Sequence, residues 1–308
     1  MPKEKRAPGF AKTVSFLAFG LTLMTGASWG VVNGVYALAA RFGWSWPGGN
    51  ATWAMLLNDG AIYLAGLPFL LLLGRFVPSC APMPLIPRRP LTPGCFARLG
   101  CIAYAGSYLA NLVTVVLLML LRLLAGGGLT AGRVNTLLEG LPPLWGFLLV
   151  AVLPAVCEEL VFRGYLYKKL IRFGEGPYIL LSGFLFGTYH GNLEQFFYAF
   201  VMGCCLAFLV CRTGSVLYGV LLHFLMNFLS VCVLLPLENS LAFTAFLGWA
   251  MLAVIGMGIG FFVQLRRGLH FARSPALPGH PAAAALLNPG MLTWIICFAL
   301  LAVLNLIS

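Results

Sequence analysis

The sequence predicts an all-α, polytopic transmembrane helical bundle of about eight to nine spans, with any active site in a polar cavity inside the membrane. Three observations carry this. Of 308 residues, 61% are hydrophobic and only 9% charged, against roughly 25% charged in soluble domains. Apolar runs long enough to cross a hydrocarbon layer of about 30 Å recur from end to end. The basic residues gather in short clusters between those runs. A water-soluble enzyme is excluded, and the net charge of +11 orients the chain in a lipid bilayer and does not read nucleic acid.

The first run, 14–40, follows Lys3, Lys5, Arg6 and Lys12 and contains Ala37-Leu38-Ala39, which resembles a signal-peptide cleavage triplet. It is longer than the ~7 to 15 residue apolar core of a signal peptide, so it reads as a retained span. Further spans are expected at 53–74, 99–121, 140–162, 176–189, 195–211, 213–237, 243–265 and 291–307. The segment 176–189 reaches only about 21 Å at 1.5 Å per residue and is expected to stop at mid-depth. If the spans alternate, all the 19 basic residues except Arg41, Arg122 and Arg133 fall on one side. That asymmetry places the N-terminus in the cytoplasm of a multi-pass cell-membrane protein, and Ser308 outside. The Pro-rich stretch 78–93, with Arg88 and Arg89, becomes a cytoplasmic linker. No internal repeat is evident, which weighs against a transporter built from duplicated halves.

The nine cysteines include no Cys-x-x-Cys pair, so neither a disulfide framework nor a cysteine zinc site is signalled. Among the acidic residues, Glu4, Glu139, Glu175, Glu194 and Glu238 fall in predicted loops and Asp59 near a span end, where a solvated position is expected. Glu158 and Glu159 differ, because they follow the uncharged run 140–157 and precede Leu160-Val161-Phe162. A charge at the centre of a membrane helix costs about 2.5 to 3.5 kcal/mol on the insertion scale, so it requires a partner or a function. Glu159 and Arg163 stand one helical turn apart and can pair. Glu158 has no basic partner at helical spacing and is the candidate general base.

Two histidines enter apolar segments. His190 closes a segment in which Gly183 and Gly187, four residues apart, allow a second helix close approach. His223 and Asn227 share one helix face. By helical rise, Glu158, His190 and His223 lie roughly 10, 21 and 15 Å from the cytoplasmic ends of their spans, so they can meet in one layer. A carboxylate, two imidazoles and a carboxamide at that depth each bring a desolvation cost that packing alone does not explain. Gly256-x-x-x-Gly260 offers a small-residue contact for another helix, and no other feature bears on oligomeric state.

Glu158-Glu159-x-x-x-Arg163, Phe186-x-x-x-His190 and His223-x-x-x-Asn227 together resemble the three-motif signature of the CPBP intramembrane protease family. That family includes type II CAAX prenyl endopeptidases and bacteriocin-processing or self-immunity proteins. Phe162-Arg163-Gly164 and Arg212-Thr213-Gly214-Ser215 strengthen the likeness. The resemblance implies a catalytic core at 144–237, flanked by accessory spans in 1–143 and 238–308. It further implies that Glu158 and His190 activate a water molecule, that His223 and Asn227 donate to the oxyanion, and that Glu159, Arg163 and Phe186 support the site. The expected partner is a membrane-associated, prenylated or bacteriocin-like peptide or protein.

The family carries the name metalloprotease, and Glu158, His190 and His223 could supply three zinc ligands with an open position. No His-Glu-x-x-His helix is present, and a ligating Glu158 could not also be a free base. A glutamate-activated water without a cofactor is favoured over zinc. Two other classes fit the same residues: a proton-coupled transporter, and a non-catalytic peptide-binding immunity protein.

Overall fold

The computed structural model describes residues 8–45, 50–85, 87, 89–126, 140–234, 241–271 and 274–307. Lys3, Glu4, Lys5, Arg6, Arg88, Arg133, Glu139, Glu238 and Arg273, together with the last three residues of the predicted span 213–237, lie outside the described residues. Helices, and no strands, build the described chain. They are α1 (Phe10–Phe42), α2 (Ala51–Gly74), α3 (Pro93–Leu124), α4 (Pro143–Phe173), α5 (Glu175–Tyr189) and α6 (Leu193–Thr213). After them come α7 (Val216–Phe228, continued by a π-helical turn Leu229–Leu234), α8 (Leu241–Arg266), the short α9 (Pro281–Leu286) and α10 (Pro289–Ile307). Eight of these are long and apolar enough to cross a membrane, and α5, with 15 residues, is the predicted short segment.

Helix starts follow local chemistry. Asn50, Thr92, Asn192 and Ser215 each accept a backbone N–H from the first turn of the helix they precede, which satisfies donors that have no intrahelical partner. Gly214, at φ 68°, closes α6 in the left-handed region, and Ser215 immediately opens α7. The Thr-Gly-Ser sequence is therefore a two-sided helix boundary, compressed into one turn.

Packing places the catalytic candidates centrally. Helices α5 and α6 form an antiparallel hairpin, held at its base by the Glu175–Arg212 ion pair of 2.9 Å. The chain therefore returns to the end from which α5 starts, whatever depth the hairpin tip reaches. Gly183 and Gly187 make the predicted close approach, since a Cβ on either would stand within 3 Å of a carbonyl oxygen of α6. Helix α3 packs between α6 and α8, and α1 between α2 and α10, while α7 leans on α4. The face carrying Gly256 and Gly260 is not the one α8 uses. The close approach is made by Gly258, whose Cβ would lie 2.6 Å from Cβ of Ala105 on α3, whereas Gly256 and Gly260 face open space. Gly258, two residues from each, points to the opposite side of the helix.

The 78–93 linker is tied down across one end of the bundle. Cys80 N–H donates to Lys168 O, Arg89 N–H to Thr213 O and Val216 N–H to Pro84 O, and Ser215 Oγ donates to Leu85 O. Lys169, buried despite its charge, extends Nζ to the carbonyls of Gly74 and Val77 at 3.1 and 2.5 Å. It thereby caps α2 from α4, a position that suits a cation.

Candidate active site

Helix α4 departs from regular α geometry on both sides of the glutamates, with π-helical turns at Gly146–Val152 and Leu160–Tyr165. Proline supplies part of the reason. Pro154 has no N–H to give the Val150 carbonyl four residues earlier, and Asn227 Nδ2 of α7 donates to that carbonyl at 3.0 Å. Asn227 thus fastens α7 to α4 about two turns before Glu158, and its second amide hydrogen remains for another acceptor.

Glu159 and Arg163 are fully buried and form an ion pair of 2.7 Å. Arg163 Nη2 also donates to the carbonyl of Gly203 on α6 at 3.0 Å, and its guanidinium lies 4.4 Å from the ring centre of Phe186. Glu159 Oε1 accepts in addition from Nδ1 of His223 at 3.1 Å. The opposite ring nitrogen, Nε2, faces Glu158 Oε2 at 3.9 Å, too far for a direct hydrogen bond. A continuous polar chain therefore runs from the Gly203 carbonyl through Arg163, Glu159 and His223 toward Glu158.

His190 caps α5, and its Nδ1 lies 2.9 Å from the Phe186 carbonyl. A carbonyl only accepts, so Nδ1 carries the hydrogen and the neutral ring presents the Nε2 lone pair. Glu159 Oε1, paired with Arg163, accepts from Nδ1–H of His223 and so favours the same tautomer there. The ring of Phe186 is fully buried between the imidazoles, edge-to-face with His190 at 5.0 Å and with His223 at 5.6 Å. It sets their separation.

Exposure divides the cluster. Glu159 and Arg163 are sealed and the His223 side chain is 3% exposed, while Glu158 retains 13% and His190 is half-buried. The two groups that keep some exposed surface are Glu158 and His190. Glu158 also stands within electrostatic reach of Tyr63 on α2 and Tyr189 on α5.

Sequence reasoning missed several participants. Gly219 leaves room for Glu159, since a Cβ there would stand 2.7 Å from Oε2, and a Cβ on Gly203 would press on Gly183, Arg163 and Phe186. Trp294 of α10 donates Nε1–H to Thr188 Oγ1 at 2.8 Å, and Asn192 Nδ2 donates to the His190 carbonyl at 2.9 Å. Together they hold the turn after α5. Pro154 was the available signal, four residues before Glu158; no signal pointed to Trp294. The expectation for Asp59 is overturned: it is 7% exposed, inside the bundle, because the α2 face that carries it turns toward α4 and not toward solvent.

Among the described residues no three His, Cys, Asp or Glu side chains are grouped to hold a metal ion, and Glu158 Oε2 and His223 Nε2 stand 3.9 Å apart.

Residues 140–229, which contain every one of these motif positions, match the family described as Type II CAAX prenyl endopeptidase Rce1-like. This segment is similar to that family over less than a third of the chain. The chain is also similar to "Putative membrane peptidase YdiL" of Bacillus subtilis (strain 168), 32% identical over 96 residues, or 30% of this chain and 38% of the relative. The chain thus spans well under half the length of that relative. No solved structure matches it.

Proposed function

We propose that the protein is an intramembrane endopeptidase that hydrolyses a peptide bond in a membrane-associated substrate, with a water molecule activated by Glu158 and His190. The observation that carries this reading is the division of the cluster into a sealed ion-paired scaffold and two partly exposed groups, one a carboxylate and one an imidazole whose Nδ1 faces the Phe186 carbonyl. Water attacks the scissile carbonyl carbon while Glu158 takes its proton. The tetrahedral intermediate collapses with cleavage of the C–N bond, and that proton passes to the leaving amine. Products are a carboxylate and an amine, with no net redox change.

The second amide hydrogen of Asn227 is available to the oxyanion, an interaction of roughly 2.7 to 4 kcal/mol in a well-arranged site. With Nδ1–H committed to Glu159, His223 donates there only as an imidazolium through Nε2; as a neutral ring it orients Glu158. Arg163 and Glu159 fix the ring, and Phe186 spaces it from His190. No step runs through a metal or other cofactor. A prenylated or bacteriocin-like peptide is the substrate class suggested by the family, the lipid bilayer is the setting, and an N-terminus in the cytoplasm of a multi-pass cell-membrane protein follows from the charge asymmetry. The segments 1–143 and 238–308 serve as accessory spans around the 144–237 core.

The test is comparative membrane proteomics of cells producing the parent or Glu158→Gln protein. Peptides newly cut near membrane boundaries should depend on Glu158. Equal cleavage by the folded variant would remove Glu158 as base, and pH-driven flux in liposomes without any peptide product would favour transport.

A further inference from the structure

We propose that Asp59, with Tyr63 and Tyr189, forms a subsite for a cationic group, the ammonium of lysine or the guanidinium of arginine, on the peptide held at Glu158. This rests on the peptidase reading and names a substrate feature that reading leaves open. Asp59 is 7% exposed, and its Oδ2 is fully buried with no hydrogen-bond partner among the described residues. None of their ion pairs includes it. Its one hydrogen-bonding neighbour is the adjacent Asn58. Asp59 stands within electrostatic reach of Tyr63, Tyr189 and Glu158.

A carboxylate removed from water either takes up a proton or is met by a counter-charge. Arg163, the cation of the hollow, is already committed to Glu159 and to the Gly203 carbonyl. The site as built therefore holds an acid that nothing within it neutralises. Tyr63, one turn along α2 from Asp59, and Tyr189 bring two aromatic rings beside that acid, and aromatic faces together with a carboxylate are the chemistry that receives an alkylammonium or guanidinium.

The packing sets a distance. The Tyr165 hydroxyl meets α2 at Leu71 and Gly74, which aligns α2 with α4. From that level, Asp59 stands roughly two helical turns further along the bundle than Glu158. An extended peptide advances about 3.3 to 3.6 Å per residue, so the cationic residue should lie within about three residues of the scissile bond.

The experiment uses the full chain in lipid nanodiscs and a synthetic library of hydrophobic peptides. Each of the three positions on either side of a fixed Ala-Ala centre carries lysine, norleucine or glutamate in equal amounts, and products are read by mass spectrometry. The parent should enrich lysine over norleucine about tenfold at one position. Asp59→Asn should bring that ratio near one, and Asp59→Glu, which keeps the charge, should retain it. A lysine-to-norleucine ratio that is the same in parent and Asp59→Asn overturns the proposal, as does a ratio near one in the parent. Absence of product from the parent would count against the peptidase reading. The subsite is then judged by binding of a dansylated lysine peptide against its norleucine counterpart. Selective binding by the parent that is lost in Asp59→Asn supports the subsite, and equal binding by both proteins overturns it.

Discussion

At Gly219 one added methyl group would stand 2.7 Å from Glu159 Oε2, so the smallest side-chain position in α7 sets the space for the most buried acid in the site. Gly219→Ala is expected to destabilise the protein by about 1 to 3 kcal/mol through overpacking, read as a lower thermal midpoint in detergent. Arg163→Met should cost more, about 3 to 5 kcal/mol, because it strands a buried carboxylate. The Glu158→Gln protein should keep the parent's thermal midpoint and lose roughly 10² to 10⁴ in rate, the range general acid–base catalysis supplies. This contrast separates the scaffold glutamate from the reactive one. The Glu159–Arg163 pair was legible from the sequence, since a four-residue interval on a helix brings the two together. The Glu159–His223 bond was not legible, because 64 residues separate its partners and no local periodicity records which face of α7 turns to α4.

Among the elements, α4 shows how one residue's missing hydrogen is answered from a neighbouring helix. Pro154 frees the Val150 carbonyl and Asn227 occupies it at 3.0 Å. Asn227→Ala should therefore cost about 1 to 3 kcal/mol for the orphaned carbonyl. Adding Pro154→Ala, which restores an N–H within α4, should recover part of that loss. A double-mutant cycle on thermal stability measures the coupling, and strict additivity of the two changes would show that the bond does not compensate for the proline. The α5–α6 hairpin was foreseeable from Gly183 and Gly187, because glycines four residues apart mark a helix face that another backbone can reach. Within the chain α8 is approached at Gly258, while Gly256 and Gly260 stay open on its other side. Three glycines alternate there, and spacing alone does not select between the face of Gly258 and the face of its neighbours. Trp294 and Thr188 join elements more than 100 residues apart, beyond the reach of any pattern reading.

Among the described residues, the spans sort the basic side chains other than Arg41 and Arg122 to one end, and the exposed Cys80 and Cys95 lie at that end. A membrane-impermeant maleimide should label both in inside-out vesicles and neither in right-side-out ones; the reverse pattern would invert the proposed orientation. Proteolytic activity should survive exhaustive chelation, and complete loss restored by zinc would overturn the metal-free mechanism.

Hydropathy, charge spacing and three short motifs determined from the sequence alone that this chain is a helical membrane bundle, roughly where each span runs, and which acid and imidazoles were candidates for chemistry. These are local properties: a lipid-crossing helix satisfies its own backbone, so its apolar length is written directly into contiguous residues. Only the tertiary structure decided that His223 leans on Glu159, that Asn227 answers Pro154, and that Asp59 turns inward toward Glu158. In a chain this uniformly apolar, one helix face differs little from another in composition, so the face each helix turns to its neighbours is fixed by side-chain fit and by where buried polar atoms find partners.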